Sequence, residues 1–128
     1  MSEASSTAVR FDGKDNDVIV WLRANNVEHV RVEWCDYAGV SRGKAMDVTH
    51  FQHALEHGIA FCAAAMAFDI GADVVPGTDF AETIGYGDFI AKPDLSSLRL
   101  LRHEADTAVV MSTLCWPDGR RWLRSRRR

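Results

Sequence analysis

The sequence predicts an α+β domain: a small mixed sheet packed on a helix, preceded by an N-terminal helix. Three observations lead there. A helix-period segment opens the body of the chain, a strand pair punctuated by glycines follows it, and a capped helix comes directly after that pair. Later strands then have to complete the sheet across the helix, an arrangement of segregated rather than alternating elements. A length of 128 residues allows one domain, with enough chain to bury a core without disulfides or metals.

The first helix is expected over 15–26, with Asp15 or Asp17 as N-cap, an apolar stripe of Val18, Trp21 and Leu22, and Asn25-Asn26 at its end. Residues 28–36 alternate, with Val30, Val32 and Trp34 on one side and Arg31 and Glu33 on the other, which predicts a half-buried strand. Gly39 and Gly43 mark a hairpin turn over 37–43, and a second strand is expected at about 44–48. Thr49 and Gln52 form a capping box for a helix that Gly58 ends. The apolar run Ile59–Phe68 predicts a buried strand entering a loop, with a helical turn open at Ala63-Ala64-Ala65. Residues 71–87 form a long Gly- and Asp-rich loop, of the length that usually carries function or mobility. Phe89–Ala91 is a short strand stopped by Lys92-Pro93-Asp94. Leu98–Leu101 and Thr107–Cys115 are further strands, and Trp116-Pro-Asp-Gly119 is a turn.

Composition is that of an ordinary soluble globular chain, 47% hydrophobic and 26% charged. No apolar run approaches a membrane span, and residues 1–14 read as a disordered polar tail rather than a signal peptide. Three widely spaced cysteines, Cys35, Cys62 and Cys115, predict reduced, buried thiols and a cytoplasmic location. The net charge of −3 conceals an asymmetry: six of the 15 basic residues lie in 120–128, leaving nine against 18 acidic ones in the rest. Residues 15–119 are therefore taken as the domain and 120–128 as a basic tail. The abrupt change after Gly119 suggests a frameshifted or prematurely ended chain, while the tail's other reading is an anion-binding segment. Nucleic-acid binding is disfavoured, because the body carries no basic face and no aromatic platform.

Several ordered segments carry more information. Asp36-Tyr-Ala-Gly39-Val-Ser-Arg42-Gly43-Lys44 is followed by His57-Gly58-Ile59-Ala60-Phe61, by Phe68-Asp69-Ile70-Gly71, and by the run from Gly87 to Arg99. In this order and spacing the set resembles the N-terminal β-grasp domain of the glutamine synthetase family, over about residues 16–119. The hairpin looks most like the branch that joins glutamate to amines or polyamines.

The resemblance implies an ATP-dependent ligase that makes γ-glutamyl phosphate and lets ammonia or an amine displace the phosphate. It implies ATP and Mg or Mn for the full-length enzyme, held by a large C-terminal domain, and no cofactor in this chain. Glutamate and amine would bind only with that domain. The partners implied are a homo-oligomer or full-length family subunits, in which the β-grasp domain closes a neighbour's active site and excludes water from the acyl phosphate. Many members carry Asp-Gly-Ser-Ser where this chain has Cys62-Ala63-Ala64-Ala65. The missing carboxylate argues against an ammonium site there and leaves an amine acceptor compatible.

No residue is assigned a catalytic role. The substrate-binding or subunit-interface candidates are Asp36, Arg42, Lys44 and Asp69. The first three suit an anion or subunit contact, or equally a solvated hairpin with surface ion pairs. Asp69 could cap a loop or face a neighbour's site. No metal site is expected. The weak alternative is His50, His53 and His57, which share one helix face but have no further ligand at helical spacing.

Overall fold

The structure, a computed structural model, describes residues 15–85 and 87–121. The expected polar tail over 1–14 and most of the Arg-rich segment lie outside the described residues. Helix α1 runs Asp15–Ala24, so Asp17 falls in its first turn and not at the cap. Its end is a Schellman motif: Val27 N donates to Leu22 O at 3.0 Å and Asn26 N to Arg23 O at 3.1 Å, with Asn26 at φ 55°. Leu22 and Val27 both enter the core, which supplies the apolar contact this motif favours.

Strand β1 (His29–Cys35) pairs antiparallel with β2 (Ser41–Asp47). The second strand thus begins three residues earlier than the glycines suggested. Gly43 is not a turn residue. It lies opposite Glu33, where a β-carbon would run into the Val32 carbonyl and sit 3.0 Å from Glu33 Cα, so glycine allows the two strands to approach. Helix α2 (Val48–His57) follows without a linker. Its N-cap is Asp47, whose Oδ1 accepts from His50 N at 2.7 Å, which corrects the expected Thr49–Gln52 capping box. An aspartate one residue before the helix satisfies the orphan His50 amide instead, and it does so from the last position of β2. Gly58 ends the helix at φ 72° and donates to Ala54 O at 2.7 Å, as its position predicts.

The apolar run after Gly58 is strand only over β3 (Ile59–Cys62) and then winds into a 3₁₀ turn, Ala63–Ala67. Small alanines allow that turn to lie flat against the sheet, with Ala63, Ala64 and Ala67 all buried. The loop that follows holds one further 3₁₀ turn at Glu82–Ile84. Strand β4 (Asp88–Pro93), β5 (Arg99–Leu100) and β6 (Thr107–Cys115) complete the sheet. Strand order is β2-β1-β6-β4-β3, with β5 also on β6. The β1–β6 pair is parallel and the other pairs are antiparallel, which makes the sheet mixed and the fold α+β and β-grasp-like.

Long, β-branched β6 is the hub. One edge pairs with β1 over residues 107–111, while the other takes β5 at 108–109 and β4 at 112–115. Pro93 ends β4 opposite Ser112, where loss of an amide is tolerated. Beyond β6 the chain turns at Trp116–Gly119, and Arg121 bridges back to Cys115. Arg120 folds onto Asp118, its Nε 2.6 Å from Oδ2. The first two residues of the basic segment therefore belong to this turn.

One face of the sheet carries two adjoining apolar clusters. Val30, Val32, Ala108 and Val110 pack under α1 and α2, chiefly against Leu22 and Phe51. Trp34, Phe89, Ala91 and Leu114 pack under the 3₁₀ turn, against Met66, Ala67 and Phe80. Among the described residues no helix is long and apolar enough to cross a membrane. The cysteines form no disulfide, but only Cys115 is buried; Cys35 and Cys62 are exposed, each next in strand alternation to a residue of the aromatic cluster, Trp34 and Phe61.

Candidate functional site

The β1–β2 turn is organised by one carboxylate. Asp36 Oδ2 accepts from Arg42 Nε at 2.7 Å, and Oδ1 accepts from Val40 N at 2.9 Å. Its own amide donates to Val40 O at 3.1 Å, and its carbonyl accepts from Gly39 N. The Asp36 side chain is 0% exposed. Burial pushes its carboxyl pKa up, but the Arg42 hydrogen bond, the Val40 amide and the Arg42 charge together hold it below the usual carboxylate value. Asp36 is thus a fixed anion that closes the turn and aims Arg42.

Arg42 and Lys44, two residues apart on β2, point the same way as Trp34 and Val32, their partners on β1. The Arg42 guanidinium lies over the Phe68 ring, 5.0 Å from its centre. Lys44 Nζ donates to Ala60 O at 3.1 Å and sits 4.7 Å from the centre of the Phe61 ring. These contacts have a topological meaning. β2 and β3 stand at opposite ends of the strand order, yet Lys44 spans them, so the sheet curls until its two edges nearly meet. Inside the curl Trp34 stands edge-on to Phe61 and Phe89, with ring centres 5.6 and 5.0 Å away. Among the described residues Trp34 Nε1 is buried without a hydrogen-bond partner.

The loop after the 3₁₀ turn is pinned to the hairpin. Tyr37 stacks on Phe80 at 6.4 Å, and Arg42 holds Phe68. Asp69 Oδ1 accepts from Gly71 N at 2.8 Å and Asp73 N at 3.0 Å, so its carboxylate caps the loop. Tyr37, Val40, Ile70, Val74 and Val75 are exposed on these two joined segments. The structure therefore brings Asp36, Arg42 and Lys44 into one row along the hairpin and ties Asp69 to it through Phe68.

The three histidines of α2 do not converge. The rings of His53 and His57 lie 4.5 Å apart, while His50 Nδ1 turns to Asp47 Oδ1 at 3.0 Å. The His50 amide, with its ring, lowers the Asp47 carboxyl. A different trio was missed from sequence. Ligand atoms of Glu28, His29 and Asp106 lie within 4.8 Å of one another, all on exposed residues. No spacing rule joins residues 28 and 106; only the parallel pairing of β1 with β6 does. The aromatic contacts were missed for the same reason, since positions 34, 61, 68, 80 and 89 share no period.

Two curated proteins are similar to this chain. A type-1 glutamine synthetase 2 of Dictyostelium discoideum is 28% identical over 99 residues, which is 77% of this chain and 19% of that protein. The gamma-glutamylethanolamide synthetase GlnA4 of Streptomyces coelicolor is 31% identical over 100 residues, 77% of this chain and 22% of that protein. The chain carries the N-terminal β-grasp region of the glutamine synthetase family. It spans about a fifth of the length of these glutamine synthetase family relatives. No family model matches it. Solved structures show the same fold at lower identity. GmaS without ligand superposes with a TM-score of 0.65 at 20% identity, covering 84% of this chain and 22% of GmaS. A glutamine synthase homologue superposes at 0.64 with 21% identity, covering 75% of this chain and 23% of its own.

Proposed function

We propose that this chain is the N-terminal β-grasp part of an ATP-dependent ligase that joins glutamate to an amine or ammonia, and that it works by closing an active site held by another domain. The observation that carries this reading is the 31% identity over 100 residues with a gamma-glutamylethanolamide synthetase. An amine acceptor is favoured over ammonium, because Cys62–Ala65 leads into a buried alanine turn with no carboxylate on it.

The candidate residues do not fit ATP or a divalent metal of their own. Asp36 is spent on Arg42 and Val40, and Asp69 Oδ1 accepts from two loop amides, so the pair offers a cation no more than the outer oxygen of Asp69, against the roughly six oxygens such an ion takes. No chemical step is assigned to this chain through those groups. Its own contribution is a surface. The apolar side chains Tyr37, Val40, Ile70, Val74 and Val75 are presented on segments held rigid by the Arg42–Phe68 and Tyr37–Phe80 contacts. Such a surface suits exclusion of water from a reactive acyl phosphate. The partner is a further copy or a full-length family subunit, in the cytoplasm. The same patch also suits a stand-alone module that docks on an intact family ring.

Phosphate release is the test, with ATP, glutamate, Mg and either ethanolamine or ammonia. The chain alone is expected to give none. Added to a family ring lacking its own N-terminal region, it is expected to restore amine-dependent release. Turnover by the chain alone, or no binding and no rescue, overturns the reading. Capture by an intact ring without rescue selects the docking module.

A further inference from the structure

We propose that the groove between β2, β3 and α2 binds a small organic anion, a carboxylate or phosphate ester with a short apolar tail. This site lies on the helix side of the seam and does not depend on the ligase reading. The groove is an open surface depression of about 520 Å³, lined among others by Lys44, Met46, His50, His53, Ile59 and Ala60. That volume is within the usual range for small-molecule sites.

Its chemistry is one-sided. Lys44 Nζ is anchored by one bond to Ala60 O, and an ammonium has three donors, so two remain to meet an oxyanion. His50 and His53 line the same wall, and the His57 ring lies tilted against His53 with 4.5 Å between centres. The carboxylates facing this cluster are engaged: Asp47 with the His50 amide and ring, and Glu56 with His57 at 3.5 Å. Outside residues 120–128 the chain has nine basic against 18 acidic residues, so the grouping of Lys44 with His50 and His53 on one wall runs against the overall charge. Met46, Ala54 and Ile59 supply the apolar contact that selects an organic anion over a bare one.

The test is a titration of the full chain, followed by amide NMR, with butyrate, butyl phosphate and inorganic phosphate. Saturable shifts at Lys44–Met46, His53–Ala54 and Gly58–Ala60 are expected with Kd on the order of 1 mM for one of the two organic anions. Which of the two binds tighter identifies the head group. Lys44→Gln is expected to weaken binding about tenfold. His53→Gln, on an exposed helix face, is expected to keep the fold and weaken binding, and it decides the matter if Lys44→Gln disturbs the seam. Shifts that never saturate, equal affinity for inorganic phosphate and butyl phosphate, or a response to zinc with none to the anions overturns the proposal.

Discussion

The two halves of the covered sheet face are held by different physics. Under α1 and α2 the packing is aliphatic and non-directional, with Val18, Leu22, Val30, Val32 and Phe51 fully buried in one cluster. At the other end the covering layer is a 3₁₀ turn and a loop, and directional contacts hold it in place. Arg42 over Phe68, Lys44 to Ala60 O, Tyr37 on Phe80 and edge-on Trp34 define that end. Apolar burial scales with area and tolerates small shifts. Cation–π and charge-assisted contacts depend on position and direction. Both halves rest on a buried apolar cluster, and the hairpin–loop half adds directional contacts that shape the surface it presents.

The largest expected effect tests whether the halves form one cooperative unit. Phe51→Ala, beneath the helices, and Trp34→Ala, in the aromatic cluster, should each cost about 3–5 kcal/mol in denaturant unfolding. If they are one unit, amide exchange rises throughout after either change. Faster exchange confined to residues 59–90 after Trp34→Ala would show two separable units.

Gly58→Ala comes next, at about 2–3 kcal/mol. The new β-carbon would sit at φ 72° and run into Ile90 Cγ2, so the junction of α2 with β3 suffers twice. A change in thermal midpoint no larger than that of an exposed Ala substitution would contradict this.

Asp36→Asn is the smallest, at about 1–3 kcal/mol, because it leaves a buried polar group less well partnered. It also carries a pH signature. The folded-state carboxyl lies below its ordinary value of 3.8, so the unfolded chain binds protons first as pH falls. The stabilisation is complete above that ordinary value and is lost as pH drops through the folded-state value. Acid unfolding curves should therefore converge for the parent chain and Asp36→Asn below that point and separate above it. A constant gap at all pH values would mean that Asp36 acts by shape alone.

Much of the fold was legible because it rests on local rules. Alternation placed β1, the Val-rich run placed β6 residue for residue, and Gly58 placed the end of α2. The misreadings have a common cause. Gly43 and Asp47 serve contacts made by neighbouring elements, the one a close strand approach and the other a helix cap, so local propensity misassigned both.

For the candidate site the division is sharper. The residues of the hairpin could be singled out in sequence because Asp36, Arg42 and Lys44 are close in the chain and form an ordered motif. Their targets could not. Ala60, Phe61, Phe68 and Phe80 come to the hairpin only because the sheet curls and brings β3 and its following loop against β2. Periodicity and caps, which act within a few residues, determined the elements. The curl, the aromatic cluster and the groove of Lys44 and the histidines were decided by tertiary packing, because strand twist accumulates across the sheet and no single segment encodes its sum.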